Sequence, residues 1–402
     1  MDLKKAYIVS AKRTALGSFL GGLSTVKPKE MGSAVLKALL EDAGIKPEQV
    51  DEVICGNVLG AGLGQNIGRT VALEAGIPQE VCAHSTNMVC GSGMRTVMEA
   101  VMSIQAGFNN VVIAGGVESM SQAPYLVPGN TRSGNKMGNW QAVDHMIYDA
   151  LTDARADIHM GITAENIAEK YNITREQQDE FAYASQQKAI AAVDAGKFKE
   201  EIVPITIHSR KGDTVFDTDE YPNRQSTPEK LAKLRPAFKK DGSVTAGNAS
   251  GINDGAAFVL VVSEDALKQY NLTPLCEVIG IGQGGVDPLV MGLGPVPAIR
   301  NALKQANVKL SDVELVELNE AFAAQALGVV HELIEEHGID RDTFLQRTNV
   351  NGGAIALGHP VGASGNRILV TLIHEMIKSD KHIGLASLCI GGGQGTAIIV
   401  KR

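Results

Sequence analysis

The chain has 402 residues, of which 37 are basic and 45 acidic, giving a net charge of −8. That balance argues against nucleic acid as the main partner, and the length can bury a large core spread over two or three domains. Five cysteines with no CxxC pair fit a reducing compartment rather than a disulfide framework. No apolar run approaches eighteen residues, so no membrane span is expected. The opening MDLKKAYIVSAKRTALG lacks an apolar leader core and the closing IVKR is not a peroxisomal address, so a cytoplasmic location is expected.

In chain order, β and α patterns alternate. AYIVSA (6–11) reads as a strand, and 29–43 as an amphipathic helix ended by Gly44. VDEVICGNVLG (50–60) is a strand entering a glycine-rich loop, followed by a helix, a strand at 81–85 and the stretch NMVCGSGMR (87–95). Cys90 there precedes a helix over 94–104, where free N–H groups and the helix dipole converge and would favour the thiolate. For this stretch alone a buried structural cysteine is an equal reading. VVIAGG (111–116) is the next strand. From 119 to about 251 the pattern breaks into turns, polar helices (164–173 and 175–196) and a charged segment, which reads as an insertion outside the sheet. Alternation resumes with strands at 254–263 and 276–284, a helix over 296–306, and a strand running into NEAF (319–322) ahead of another helix. Alternating strands and helices predict a layered α/β sheet.

The C-terminal third carries the rest of the chemistry. His359 sits in NVNGGAIALGHPVGASG (349–365), ahead of a helix over 367–378. Cys389 ends an apolar strand and is followed by Gly391, Gly392 and Gly393, which predicts a tight hairpin. Gly280, Gly282 and Gly285 match GxGxxG, but the prolines that follow cannot open the helix of a dinucleotide site. Cys55, Cys82 and Cys276 read as buried core thiols.

These motifs resemble those of the thiolases. The similarity runs through NMVCGSGMR, GGVESMS (115–121), HMGITAEN (159–166), LRPAF (234–238), TAGNASGINDGAA (245–257), ELNEAFAAQ (317–325), GGAIALGHPVGASG (352–365) and CIGGGQG (389–395). The resemblance implies two similar βαβαβαββ halves in a layered α-β-α-β-α arrangement with an inserted loop domain. Its divisions would be 1–121 plus 252–272, 122–251 and 273–402. It implies joining of two acetyl-CoA molecules to acetoacetyl-CoA and CoA, with no metal and no bound cofactor. Cys90 would carry the acetyl group, His359 would relay its proton, and Cys389, with a pKa near neutrality, would remove the α-proton. Asn319 would orient a water beside His359 in one oxyanion hole, or simply cap a helix. The N–H groups of Cys90 and Gly391 would form the second hole. Substrate and CoA contacts fall on Leu151, His159, Met160, Ser226, Phe238, Ala246, Ser250, Met291 and Phe322. His159 and Met160, together with Met291, resemble the short-chain type, with a broader 3-ketoacyl-CoA thiolase as the alternative. A decarboxylating relative of this fold would carry a second histidine in place of Cys389. The basic cluster Lys230, Lys233, Arg235, Lys239 and Lys240 is a solvated face or the seat of the nucleotide end, where Asn223 takes the place of an expected arginine. The long irregular 121–140 stretch fits a tether for a homotetramer and equally a mobile surface loop.

Overall fold

The computed structural model describes residues 4–127 and 129–402. Residues 1–3, where the leader reading begins, and Pro128, inside the irregular 121–140 stretch, lie outside the described residues. Nine strands form the backbone of one continuous sheet: β1 (Ala6–Thr14), β2 (Glu52–Gly56), β3 (Cys82–Thr86), β4 (Val111–Ser119), β5 (Asn253–Ser263), β6 (Cys276–Gly285), β7 (Leu315–Leu318), β8 (Ile383–Ile390) and β9 (Gln394–Lys401). Their order is β7-β8-β9-β6-β1-β5-β4-β2-β3. The two halves join where β1 and β6 pair antiparallel through Tyr7–Glu277 and Ile8–Cys276. Every residue of β4 and β5 is buried, as expected of strands covered on both faces.

The longer helices are α1 (Pro28–Ala43), α2 (Ile67–Glu74), α3 (Ser92–Gln105), α4 (Met160–Tyr171), α5 (Arg175–Asp194), α6 (Pro295–Ala306), α7 (Ala323–His337) and α8 (Val361–Lys378). The predicted 29–43 helix is α1, with Pro28 at its first turn and Gly44 closing it at φ 67°. Three apolar clusters define the layers. One packs α1 and α2 on the outer face of the N-terminal half. A second buries α3 and α8 between the halves, and a third packs α6 and α7 outside the C-terminal half. The result is a five-layer α-β-α-β-α stack.

The halves repeat one another. β2 pairs parallel with β3 and with β4. β7 likewise pairs parallel with β8 and makes a parallel bridge from Val316 to Thr348. The repeat therefore matches the Cys90 turn with the segment after Thr348 that carries His359, and α3 with α8. NEAF follows β7 as Asn57 follows β2, so it is not the counterpart of the Cys90 turn, although both precede helices.

Residues 122–251 hold α4 and α5. They also lend the main sheet a short strand, Ile202–Val203, parallel to the end of β1 at Arg13 and Thr14. The insertion is thus not wholly outside the sheet. Its anchor is Arg13, fully buried, with its guanidinium on Asp219 at 2.7 and 2.9 Å and on Glu201 at 2.6 Å. Removing one member would strand a buried charge at a cost of about 3–5 kcal/mol.

Gly280 and Gly282 serve packing: a Cβ at Gly282 would lie 2.2 Å from the Ala298 carbonyl oxygen of α6. Cys55 and Cys276 are buried as expected, but Cys82 is exposed. It opens β3, the edge strand, whose outer rim has no neighbour among the described residues.

Candidate active site

Cys90 stands on a strained turn between β3 and α3. Val89, just before it, has φ 46°, a left-handed backbone that costs a β-branched residue about 1–3 kcal/mol. Ser92 holds the turn by accepting from Met88 N–H (2.9 Å) and donating to Val89 O (2.6 Å). The N–H groups of Gly391 and of Cys90 itself are directed at the thiol and favour its anion. Burial outweighs them and pushes the Cys90 thiol up to about 11. The expectation that the helix terminus would depress it is therefore corrected: desolvation dominates.

Cys389 lies at the end of β8, 1% exposed, and the hairpin to β9 turns through Gly392 and Gly393, both at φ 84°. Burial, then the neighbouring Cys90, raises its thiol far above neutrality. This also differs from the expected near-neutral value, because the thiol is buried and faces a second thiol.

His359 is 6% exposed. Its N–H donates to Asn253 Oδ1 (2.9 Å) and its Nδ1 lies 2.6 Å from Ser364 Oγ. Ser364 gives its single hydrogen to Pro360 O at 2.9 Å. Its oxygen therefore accepts from His359 Nδ1–H, which leaves Nε2 as a lone pair. Burial, then the Arg367 charge, lowers the His359 pKa to about 4. The site thus rests as a neutral thiol beside a neutral imidazole base.

Cys90, His359 and Cys389 line one cavity of about 460 Å³. Leu151, His159, Met160, Phe238, Ala246, Ser250, Met291 and Phe322 line it too. His159 stacks on Phe238 at 4.7 Å and Phe238 meets Phe322 edge-on at 6.0 Å, giving an aromatic wall. The His159 side chain also caps α4, accepting from Gly161 N–H at 3.0 Å. Ser226 does not line this cavity. It lines an adjoining cleft of about 740 Å³ together with Asn223, Arg224 and Lys230, and Ala246 borders both. Arg224 is tied to Asp194 by two bonds of 3.0 and 2.5 Å, and Lys239 is paired with Glu169.

Asn319 and Gly391 stand behind the cavity wall. Asn319 is 1% exposed, and neither side-chain atom finds a partner among the described residues, an arrangement suited to holding a water. It is not a helix cap: Phe322 occupies that position on α7.

Sequence reasoning passed over three supporting residues. Ser364 lies inside a quoted motif, five residues after His359, and its bond to the imidazole emerges only in the folded turn. Asn253 comes from β5 in the other half. Glu118, fully buried, accepts from the N–H groups of Val58 (3.0 Å), Leu59 (3.1 Å) and Gly362 (2.9 Å) and from Asn57 Nδ2 (2.9 Å). It binds the loop after β2 to the His359 loop, and burial pushes its carboxyl up to about 7. Within the described residues no group of three or more His, Cys, Asp or Glu is placed to hold a metal ion, and no helix is long and apolar enough to cross a membrane.

Comparison with known proteins agrees with this architecture. Residues 6–265 match the model of the thiolase N-terminal domain, and residues 272–402 that of the thiolase C-terminal domain. The chain is 54% identical to an acetyl-CoA acetyltransferase of Allochromatium vinosum, over 98% of each chain. It is 52% identical to one of Escherichia coli K12, over 100% of each. Among solved structures, the acetyl-CoA acetyltransferase of Syntrophomonas wolfei superposes with a TM-score of 0.96 at 44% identity, covering 100% of both chains. Human mitochondrial 3-ketoacyl-CoA thiolase superposes at 0.94, also 44% identical and covering 100% of both. With two family domains spanning almost its whole length and close relatives end to end, the chain belongs to the thiolase family.

Proposed function

We propose that the chain is an acetyl-CoA C-acetyltransferase that reversibly condenses two acetyl-CoA molecules to acetoacetyl-CoA and CoA. The observation that carries this reading is the convergence of Cys90, His359 and Cys389 on one apolar cavity. In the first half-reaction His359 Nε2 takes the Cys90 proton as the sulfur attacks the thioester carbonyl. The CoA sulfur leaves and recovers that proton, and the acetyl group stays on Cys90. The Cys90 and Gly391 N–H groups stabilise the oxyanion. In the second half-reaction Cys389 gives its own proton to His359 Nε2 and, as its thiolate, removes the α-proton of a second acetyl-CoA. The thioester oxygen of that acetyl-CoA accepts from the protonated His359 Nε2 and from a water on Asn319, and the resulting carbanion attacks the acetyl-cysteine, whose released Cys90 thiolate recovers the proton from His359.

Because both thiols rest protonated, the reaction depends on proton transfer at the moment of attack. The elevated thiols also limit side reactions of the empty site, since only the thiolate is a strong nucleophile.

The bulk of Met160, Met291 and Leu151 around the thiols supports a short acyl group; the broader 3-ketoacyl-CoA thiolase is the second reading, since a human enzyme of that name shares the fold. The adjoining cleft with Ser226 and Lys230 is suited to the nucleotide end of CoA. We assign the divisions 1–121 plus 252–272, 122–251 and 273–402, a homotetrameric assembly and a cytoplasmic location to the same proposal, with no metal or bound cofactor. Thiolytic cleavage of acetoacetyl-CoA and of a longer 3-ketoacyl-CoA tests it. Cleavage of the short substrate alone supports the acetyltransferase, and comparable cleavage of both supports the second reading.

A further inference from the structure

Behind the catalytic wall, α8 presents Arg367, Thr371 and Glu375 along one stripe at four-residue spacing. Arg367 is 1% exposed, yet none of its three side-chain nitrogens has a hydrogen-bond partner among the described residues. Its nearest carboxylate, Glu317 on β7, lies 3.6 Å away, beyond hydrogen-bond reach, and Glu317 Oε2 is also without a partner. At the far end of the stripe Asn351 donates to Glu375 (2.7 Å), while its own Oδ1 is unpartnered. Thr371 donates to Glu201 at 2.9 Å.

Orphan donors and orphan acceptors therefore face one another in the same interior. Burial pushes the Glu317 carboxyl up to about 8, so at neutral pH it is a neutral acid whose second oxygen still needs a donor; a chloride could accept from Arg367 but could not donate to that oxygen, and a cation could do neither for the guanidinium. Water can do both, and buried polar groups left without partners are commonly served by water. The location matters as well. Glu317 is two residues before Asn319 on the strand that delivers it, and Arg367 is the charge that acts on His359 after burial.

We propose that Arg367 is a positioning residue for His359 and Asn319, held by a small internal cluster of ordered water shared with Glu317 rather than by direct protein bonds. This rests on the roles given above to His359 and Asn319. The cation opposes protonation of His359 and keeps Nε2 free to accept the Cys90 proton. The other titratable groups around His359 are Cys90 on the α3 turn, Cys389 on β8, Glu118 on β4, Asp254 on β5 and His159 before α4. Around Arg367 stand Glu317, Glu201, Arg13 and Asp219. None of these but Arg367 brings a fixed positive charge to the His359 loop.

Three measurements test the proposal, the first two of which do not depend on turnover. A high-resolution crystal structure should show water within hydrogen-bond distance of both the guanidinium and Glu317 Oε2; a dry chamber, or an anion identified by anomalous scattering, overturns it. Carbon-13 histidine NMR, with His359 assigned from its loss in His359→Asn, should show the titration midpoint about one unit higher in Arg367→Met and unchanged in Arg367→Lys. Arg367→Met/Glu317→Leu leaves neither member of the pair and guards against misfolding of the single variant; because Glu317 is a neutral acid, its removal does not offset the loss of the Arg367 charge. An unchanged midpoint in that folded double variant overturns the proposal. In the same variant kcat for thiolysis should fall about ten- to a hundredfold with KM unchanged; wild-type kcat contradicts a positioning role.

Discussion

Replacing Ser364 with alanine isolates the most exacting hydrogen bond of the site. Ser364 is 0% exposed, so no solvent can substitute for the lost hydroxyl. His359 Nδ1–H would lose its 2.6 Å acceptor and remain buried without a partner. Leaving a buried donor unpaired costs about 1–3 kcal/mol. If that cost falls on the orientation and tautomer that present Nε2 to Cys90, it converts to a loss of about 5- to 150-fold in kcat. Ser364 does not line the cavity, so KM should not change. Ser364→Thr keeps the hydroxyl and should recover part of the activity, with some loss from packing an extra methyl into a filled position. Steady-state thiolysis of acetoacetyl-CoA by the three proteins is the assay. Wild-type kcat in Ser364→Ala would refute the claim that this bond sets the tautomer.

Other consequences follow from the same geometry. Met291→Ala removes a side chain that is 3% exposed and lines the cavity; the longer 3-ketoacyl-CoA should gain in kcat/KM relative to acetoacetyl-CoA, measured in competition. Gly116→Ala places a Cβ 2.0 Å from the Gly362 carbonyl oxygen, so the His359 loop must shift. A destabilisation of about 1–3 kcal/mol, seen as a lower thermal midpoint, should accompany lost activity. His359 has its folded pKa depressed to about 4 from an ordinary 6.5. The unfolded chain therefore binds the extra proton first as pH falls. This group's contribution to stability is present above pH 6.5 and is lost as pH falls towards 4, about 3 kcal/mol in all. His359→Asn should flatten that part of the denaturation profile, whereas an unaltered slope would place the imidazole in contact with water.

Much of the fold was written in the chain. Period-two and period-3.6 patterns, with Pro28 and Gly44 marking helix ends, located the alternating elements. The glycines flanking Cys90 and Cys389 marked where backbone must run close to a reacting group. Local pattern could not show what only packing decides. Cys82 reads like Cys55, an apolar neighbour of strand residues, yet β3 lies at the sheet edge and exposes it. The helix terminus behind Cys90 suggested a depressed pKa, but burial by side chains from both halves and the insertion reverses the sign. Asn319 looked like a cap because it precedes a helix by a few residues. The helix in fact begins at Ala323, and Asn319 is held back in the wall beside Glu317. Two similar halves were implied by the family resemblance, but the pairing of the Cys90 turn with the His359 loop required the strand register.

The central claim is that Cys90 alone carries the acetyl group and Cys389 acts only afterwards. Acid-quenched incubation with acetyl-CoA, followed by peptide mass spectrometry of wild type and Cys389→Ala, tests it most directly. The account predicts one acetyl group on the Cys90 peptide in both proteins, with acetoacetyl-CoA formed by the wild type only. An acetyl group on Cys389, or acetoacetyl-CoA made at the normal rate by Cys389→Ala, would contradict it.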